Sequence, residues 1–282
     1  MKKIERAALF LQQNAHLFCC PVCQADLFFD KNGLECSQKH RFDLSKKGTL
    51  YFILHGIKSE YDDANLWQAR RQMLTHGLFD PLVTTLIKRM PKQPVRVLDI
   101  GCGEGSILHL IEQQRHQNDL LLGFDISKAA INLATQQPTQ AFFCHADLAA
   151  LPFKQQSFDV LIDMFTPSAY QEFQRVAKKD ATLFKIVPNT NYLGELRKAL
   201  YIDDLQKQNY SNQRVVDLFY QHYPKAKATQ IKYQYPLDEA SLVNLLTMTP
   251  LQWGAKAQNK ANLLKTGLSE VTIDVTLLEA HF

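Results

Sequence analysis

Four cysteines and a histidine crowd into CCPVCQADLFFDKNGLECSQKH, residues 19–40. Cys20 and Cys23 enclose two residues, and Cys36 and His40 enclose three, giving C-x2-C followed by C-x3-H. Three thiolates and one imidazole complete a tetrahedral shell, the closed arrangement of structural rather than catalytic Zn2+. Cys19 would give a looser three-residue spacing, so Cys20 is assigned as the ligand. Between the pairs, Leu27-Phe28-Phe29 and Leu34-Glu35-Cys36 read as short strands. Asp30-Lys31-Asn32-Gly33 turns between them, with Asn-Gly as the hairpin signal, because both residues tolerate positive φ. Such a hairpin brings both ligand pairs to one end. The competing readings are ordinary buried cysteines or a disulfide. Cys102 and Cys144 stand alone and read as small packing residues.

A second group of residues follows. In VRVLDIGCGEG, residues 95–105, an apolar strand leads into Gly101, Gly103 and Gly105, and an apolar helical pattern starts at Ser106. Strand, glycine turn and helix open a doubly wound α/β fold, whose ligands bind at the C-terminal strand ends. The spacing is G-x-G-x-G, with Asp99 inside the strand end. It resembles the loop of class I S-adenosylmethionine (SAM)-dependent methyltransferases more than the dinucleotide G-x-G-x-x-G; a nicotinamide enzyme is the competing reading. LLLGFD ends a second strand at Asp125, where an acid can accept from both ribose hydroxyls. Asp147 follows in HADLAALPF. In the class resembled, an acid there commonly meets the adenine amino group. A further strand, FDVLID, ends near Asp163. Before the next one, Lys178-Lys179-Asp180-Ala181 stands where similar enzymes often carry a proline-glycine-glycine turn.

These residues need a scaffold, and 282 residues with 46% apolar content supply one. The expected class is α/β: a Rossmann-like, mostly parallel seven-stranded sheet preceded by a small zinc hairpin. The expected divisions are an N-terminal helix and hairpin over 1–54, a helical connector over 55–80 (helix from Ser59 to His76, closed by Gly77), and a methyltransferase domain over 81–282. The net charge of +4 permits a polyanionic partner without requiring one. Polar residues interrupt the N-terminal apolar run, so an amphipathic helix carrying Ile4, Ala8 and Leu11 on one face is expected there, not a signal peptide. No run of about 20 apolar residues marks a membrane span. A cytoplasmic location, with reduced cysteines, follows most simply.

The order C-P-x-C, C-x3-H-R-F-D, K-x-G, Q-A-R-R and D-I-G-C-G-E-G resembles the bacterial 23S rRNA guanine-N1-methyltransferases. The resemblance spans most of the chain and includes Trp67-Gln68-Ala69-Arg70-Arg71 and Leu245-Leu246-Thr247-Met248-Thr249-Pro250. It implies SAM as cofactor, structural zinc on Cys20, Cys23, Cys36 and His40, and a 23S rRNA stem-loop lining the exit tunnel as partner. Some members of the family confer resistance to macrolides such as tylosin. It also implies SAM contacts at Gly103, Glu104, Phe79 and Tyr192; the last two stand where relatives carry tyrosine and histidine. A homodimer is implied by the family alone. Guanine N1 must lose a proton to act as a nucleophile, so a base is expected near the fourth strand end, where Asp163 is the candidate and Phe165 could stack on the target. A helix cap or turn is the plain alternative for Asp163. Lys39, Arg41, Lys46 and Lys47 around the metal form the expected RNA-facing cluster; Arg70-Arg71, Lys88-Arg89 and Arg197-Lys198 read as solvated pairs. A small-molecule acceptor and a non-catalytic RNA-binding assembly factor are the alternative functions.

Overall fold

Strands that carry apolar residues on both faces belong inside a covered parallel sheet. Val97, Leu98 and Ile100 are all fully buried, and their strand lies near the middle of the main sheet. The computed structural model describes residues 1–53 and 61–282. The N-terminal unit has helix α1 (Lys3–Asn14) and strands β1 (Leu27–Asp30), β2 (Gly33–Cys36), β3 (Arg41–Asp43) and β4 (Leu50–Tyr51). Then come α2 (Ala64–Thr75), α3 (Asp80–Arg89), β5 (Arg96–Ile100), α4 (Ser106–Arg115), β6 (Leu120–Asp125), α5 (Lys128–Ala134) and β7 (Phe142–His145). The remainder is β8 (Phe158–Met164), α6 (Tyr170–Val176), β9 (Ala177–Pro188), α7 (Gly194–Leu200), α8 (Leu205–Gln208), α9 (Gln213–His222), β10 (Lys227–Pro236), α10 (Glu239–Met248), α11 (Ala257–Thr266) and β11 (Glu270–His281).

The main sheet runs β10-β11-β9-β8-β5-β6-β7-β4. Only β11 is antiparallel to its neighbours. Seven of these strands are those expected. The eighth, β4, comes from the N-terminal unit and adds in parallel to the outer edge of β7, pairing Leu50 with Cys144 and Tyr51 with His145. Its residues begin the apolar run Leu50-Tyr51-Phe52-Ile53-Leu54, which closes the expected 1–54 unit; Leu54 lies outside the described residues.

Alternation along the strands divides the core. Val97, Val160, Ile162, Phe184 and Ile186 face one side, with apolar residues of α2, α3, α4, α7 and α10. Leu98, Leu161, Leu183 and Val187 face the other, with α6, α9 and the N-terminal unit. Leu11, Leu17, Phe18, Phe42 and Phe52 share that second core with Phe124, Phe142 and Phe153. Phe10 stacks on Phe142 at 4.7 Å, and Phe18 meets Phe153 at 5.5 Å. The metal hairpin is thus joined to the sheet by one continuous apolar interior.

Several local expectations change. The connector helix begins at Ala64, where Asp63 accepts from the Asn65 amide at 2.8 Å; Ser59 lies outside the described residues. Gly77 ends that segment at φ 87°. The Lys178–Ala181 stretch is not a separate turn, for β9 runs through it. Asp180 takes φ 69°, and the register against β8 shifts between Phe158 and Val160. The residue that turns the chain is therefore an aspartate, one of the few side chains that enter the left-handed region readily. Helices α8, α9 and α11 were not anticipated.

Candidate functional site

At the metal hairpin, backbone hydrogen bonds build each ligand pair into a tight knuckle. The Gln24 amide donates to the Cys20 carbonyl at 2.8 Å, and the Lys39 amide to the Cys36 carbonyl at 2.9 Å. Gln24 and Lys39 take φ of 60° and 65° to close them. The hairpin turn differs from the Asn-Gly expectation: Lys31 holds the positive φ, and Gly33 already belongs to β2, paired with Asp30. Gly33 is needed because a Cβ there would lie 2.5 Å from the Phe42 carbonyl oxygen of β3.

Cys20, Cys23, Cys36 and His40 bring their ligand atoms within 4.8 Å of one another. His40 Nδ1 lies 3.5 Å from both Cys20 Sγ and Cys36 Sγ, and Cys23 Sγ lies 3.7 Å from Cys36 Sγ. Tetrahedral zinc with bonds of about 2.3 Å to sulfur and about 2.0 Å to nitrogen would space sulfur from sulfur by ~3.8 Å and sulfur from nitrogen by ~3.5 Å. The three distances fit that ion. Cys19 points elsewhere, its thiol donating to the Phe153 carbonyl at 3.2 Å.

The glycine loop gathers the acids. Asp99 lies beside Gly123 across β5 and β6, and Ile100 beside Asp163 across β5 and β8, so acids from neighbouring strands converge at one sheet edge. Gly103 sits at φ 55° under the Trp67 ring, which a Cβ would meet at 2.6 Å. Asp125 accepts from the Gly103 amide at 2.9 Å and the Ser127 amide at 2.7 Å; burial raises its carboxyl, and these amides oppose that. Glu104, almost fully buried, takes the Ser106 hydroxyl at 2.6 Å and the Gln137 amide at 3.1 Å, with Arg70 and Arg71 at 4.0 and 3.7 Å. Asp147 is half-buried just past β7 and accepts from the Ala149 amide at 2.9 Å.

Asp99 differs from these three, for its Oδ2 is buried and has no partner, a state that Asp163 Oδ1 shares. Burial pushes its carboxyl up to about 8, with Arg70 acting the other way. A cationic group at that oxygen would satisfy it, and SAM carries both an ammonium and a sulfonium. Phe79 and Tyr192 are brought together by Phe165, whose ring lies 5.8 Å from the first and 5.4 Å from the second. Arg70 lies 5.6 Å over the Phe79 ring. Phe79 has no exposed surface and supports Phe165 and Tyr192 from the core; the acids, the glycine loop and the Phe165–Tyr192 face fit SAM.

Asp163 sits at the end of β8 with no exposed surface, on the opposite face of the sheet from Asp99. Lys185 of β9 donates to its Oδ2 at 2.7 Å, and the Ser168 hydroxyl at 3.0 Å. Burial raises this carboxyl and Lys185 opposes it.

The charges near the metal are arranged differently from the expected basic face. Arg41 pairs with Asp30 at 2.6 Å, Asp43 at 2.8 Å and Glu35 at 3.3 Å, and Lys39 pairs with Glu35 at 3.0 Å. Lys46 and Lys47 are exposed and without a carboxylate partner among the described residues. Arg70 and Arg71 are not a solvated pair, since both turn to Glu104, and Arg71 also donates to the Leu133 carbonyl at 2.6 Å. Arg89 pairs with Glu279 at 3.0 Å, and Arg197 is buried with its guanidinium 4.7 Å from the Tyr210 ring. The sequence reading missed Arg70, Arg71 and Gln137 as partners of the loop; adjacent arginines between the apolar Trp67, Ala69, Met73 and Leu74 were the available signal.

Residues 91–240 match a family model described as a methyltransferase domain, and residues 18–53 match one described as RlmA, N-terminal. Bacillus subtilis YxjB, named as a 23S rRNA (guanine-N(1)-)-methyltransferase, is 34% identical over 93% of this chain and 96% of its own. The Streptomyces fradiae 23S rRNA (guanine(748)-N(1))-methyltransferase is 26% identical over 91% of this chain and 94% of its own. With the metal ligands and the glycine loop both in place and the similarity running almost end to end, the chain belongs to the 23S rRNA (guanine-N1)-methyltransferase family.

Proposed function

We propose that this protein transfers a methyl group from SAM to N1 of one guanine in a stem-loop of 23S rRNA. The observation that carries the reading is the joining of a Cys3His hairpin, through β4, to the sheet that gathers Asp99, Gly103, Glu104 and Asp125 at the C-terminal ends of its strands. Bound SAM supplies an electrophilic methyl on a sulfonium. The chain's own residues bind and orient. Asp99 faces the ligand's positive charge, and Gly101, Gly103 and Gly105 let it approach the backbone. Asp125 and Asp147 take the ribose and adenine ends, while Glu104 fixes the loop through Arg70 and Arg71. Phe165 and Tyr192 wall the site, supported from the core by Phe79.

Positioning supplies much of the rate of an in-line transfer. Guanine N1 lies on the Watson–Crick edge, so the base must be unpaired or flipped out to reach the methyl. The loop after β8 lies at the end of the strand where the acceptor enters, and Phe165 gives it an aromatic face. Lys46 and Lys47 are suited to phosphates. Action in the cytoplasm is part of this proposal, as is a homodimer, which rests on the family resemblance. Among the described residues no helix is long and apolar enough to cross a membrane.

The test is labelled SAM with unmodified 23S rRNA, mapped by primer extension, since a methyl on N1 blocks pairing. A single new stop at a guanine is expected. Label found only on small molecules would replace the RNA with a small acceptor. Tight SAM binding without transfer would leave a non-catalytic RNA-binding factor.

A further inference from the structure

The pair Asp163–Lys185 is the most deeply buried ion pair of the described residues, with side chains 0% and 2% exposed. Buried pairs of this kind seldom stabilise a fold more than apolar residues of the same volume would. Their place therefore calls for a reason. Lys185 Nζ donates both to Asp163 Oδ2 at 2.7 Å and to the Thr166 carbonyl at 3.0 Å. The same carboxylate oxygen accepts from Ser168 at 3.0 Å. The two residues flanking Pro167 are thus tied to one charged cluster on the sheet. Just before them Phe165 is held at φ 60°, a conformation that side-chain-bearing residues enter at a cost, and its amide donates to the Ile186 carbonyl at 3.2 Å. Phe165 is the ring between Phe79 and Tyr192. Asp163 itself has no exposed surface; its Oδ2 is taken by Lys185 and Ser168, and its Oδ1 is buried without a partner.

We infer that Lys185, anchored by Asp163, is a positioning residue for methyl transfer: by holding the Thr166 carbonyl it keeps the loop after β8 in the shape that places Phe165 and the acceptor base against the methyl donor. The inference rests on the proposed function and assigns the pair a task in it. Asp163 then acts through Lys185 and the loop, not by touching the base.

Lys185→Met removes both contacts at nearly constant volume but leaves a buried unpaired carboxylate, so Asp163→Asn/Lys185→Met is made beside it to keep a folded protein. On 23S rRNA, both variants are expected to lose at least about tenfold in kcat, with KM for RNA and the SAM dissociation constant within about threefold of the wild type. Amide exchange of Phe165, Thr166 and Ser168 should rise in both, while β8 and β9 stay protected. A double variant that folds and regains kcat to within threefold would overturn the inference, because charge compensation would then be the pair's whole role. So would a loss confined to SAM affinity. A wild-type protein that binds SAM and leaves rRNA unmodified would sink the proposed function instead, and the exchange measurement would still report on the loop.

Discussion

At the scale of single residues, Asp99 makes a claim about pH. Its carboxyl is raised to about 8 in the free protein, so at neutral pH it is largely protonated. A cationic ligand at its unpartnered oxygen needs the carboxylate, so binding expels a proton. Affinity for SAM should therefore climb with pH, by up to about tenfold per unit below 8, and level off above it. The ligand's own amine titrates too, so the quantity to measure is the difference between wild type and Asp99→Asn by calorimetry across pH 6–9. An identical pH profile in both would remove Asp99 from the site. Its position was legible, because an acid in a strand before glycines has few other uses. The loss of its partner was not, because that depends on where Arg70, Asp125 and Glu104 come to rest. Lys185 was less legible still. In TLFKIVP it reads as a stray charge in an apolar strand, and its carboxylate partner lies on a neighbouring strand far away in sequence.

At the scale of elements, the metal hairpin shows why charge counted along a sequence misleads. Lys39, Arg41, Lys46 and Lys47 look like one basic cluster. Strand pairing then sets Asp30, Glu35 and Asp43 around Arg41, which neutralises half of it. Only the Lys46-Lys47 turn is left to meet phosphate. Lys46→Glu/Lys47→Glu should weaken rRNA binding about tenfold at moderate salt and lower the slope of log affinity against log salt by one to two, as about one counterion is released per phosphate contact. Arg41→Ala should change the affinity less than about twofold. Filter binding over a salt series reads both, and the reverse ranking would restore the larger cluster. The ligand set itself was fully legible, because metal geometry is written in local spacing. The turn was not: a third strand, β3, claims the space at Gly33 and moves the left-handed residue to Lys31.

At the scale of the whole molecule, the hairpin and the sheet share one apolar core and should unfold together. Chelation of the zinc is expected to lower the melting temperature of the entire chain in a single transition, since metal binding and folding are coupled. Two separated transitions in calorimetry, with only the smaller one moving, would show that the hairpin melts alone. The strands of the seven-stranded sheet could be read from apolar runs and glycine turns, whereas the eighth strand could not. Leu50 and Tyr51 are too short a run to announce a partner strand, and their pairing with β7 is a contact between residues distant in sequence. That strand has a consequence for the cell. An uncovered edge of a sheet is a template onto which another chain can add. By lying along β7, β4 closes that edge, so the zinc guards against self-association as well as shaping a hairpin. Because the hairpin and the sheet share one core, a molecule made under metal starvation would lose this guard and its catalytic fold together, and the exposed edge would then favour aggregation.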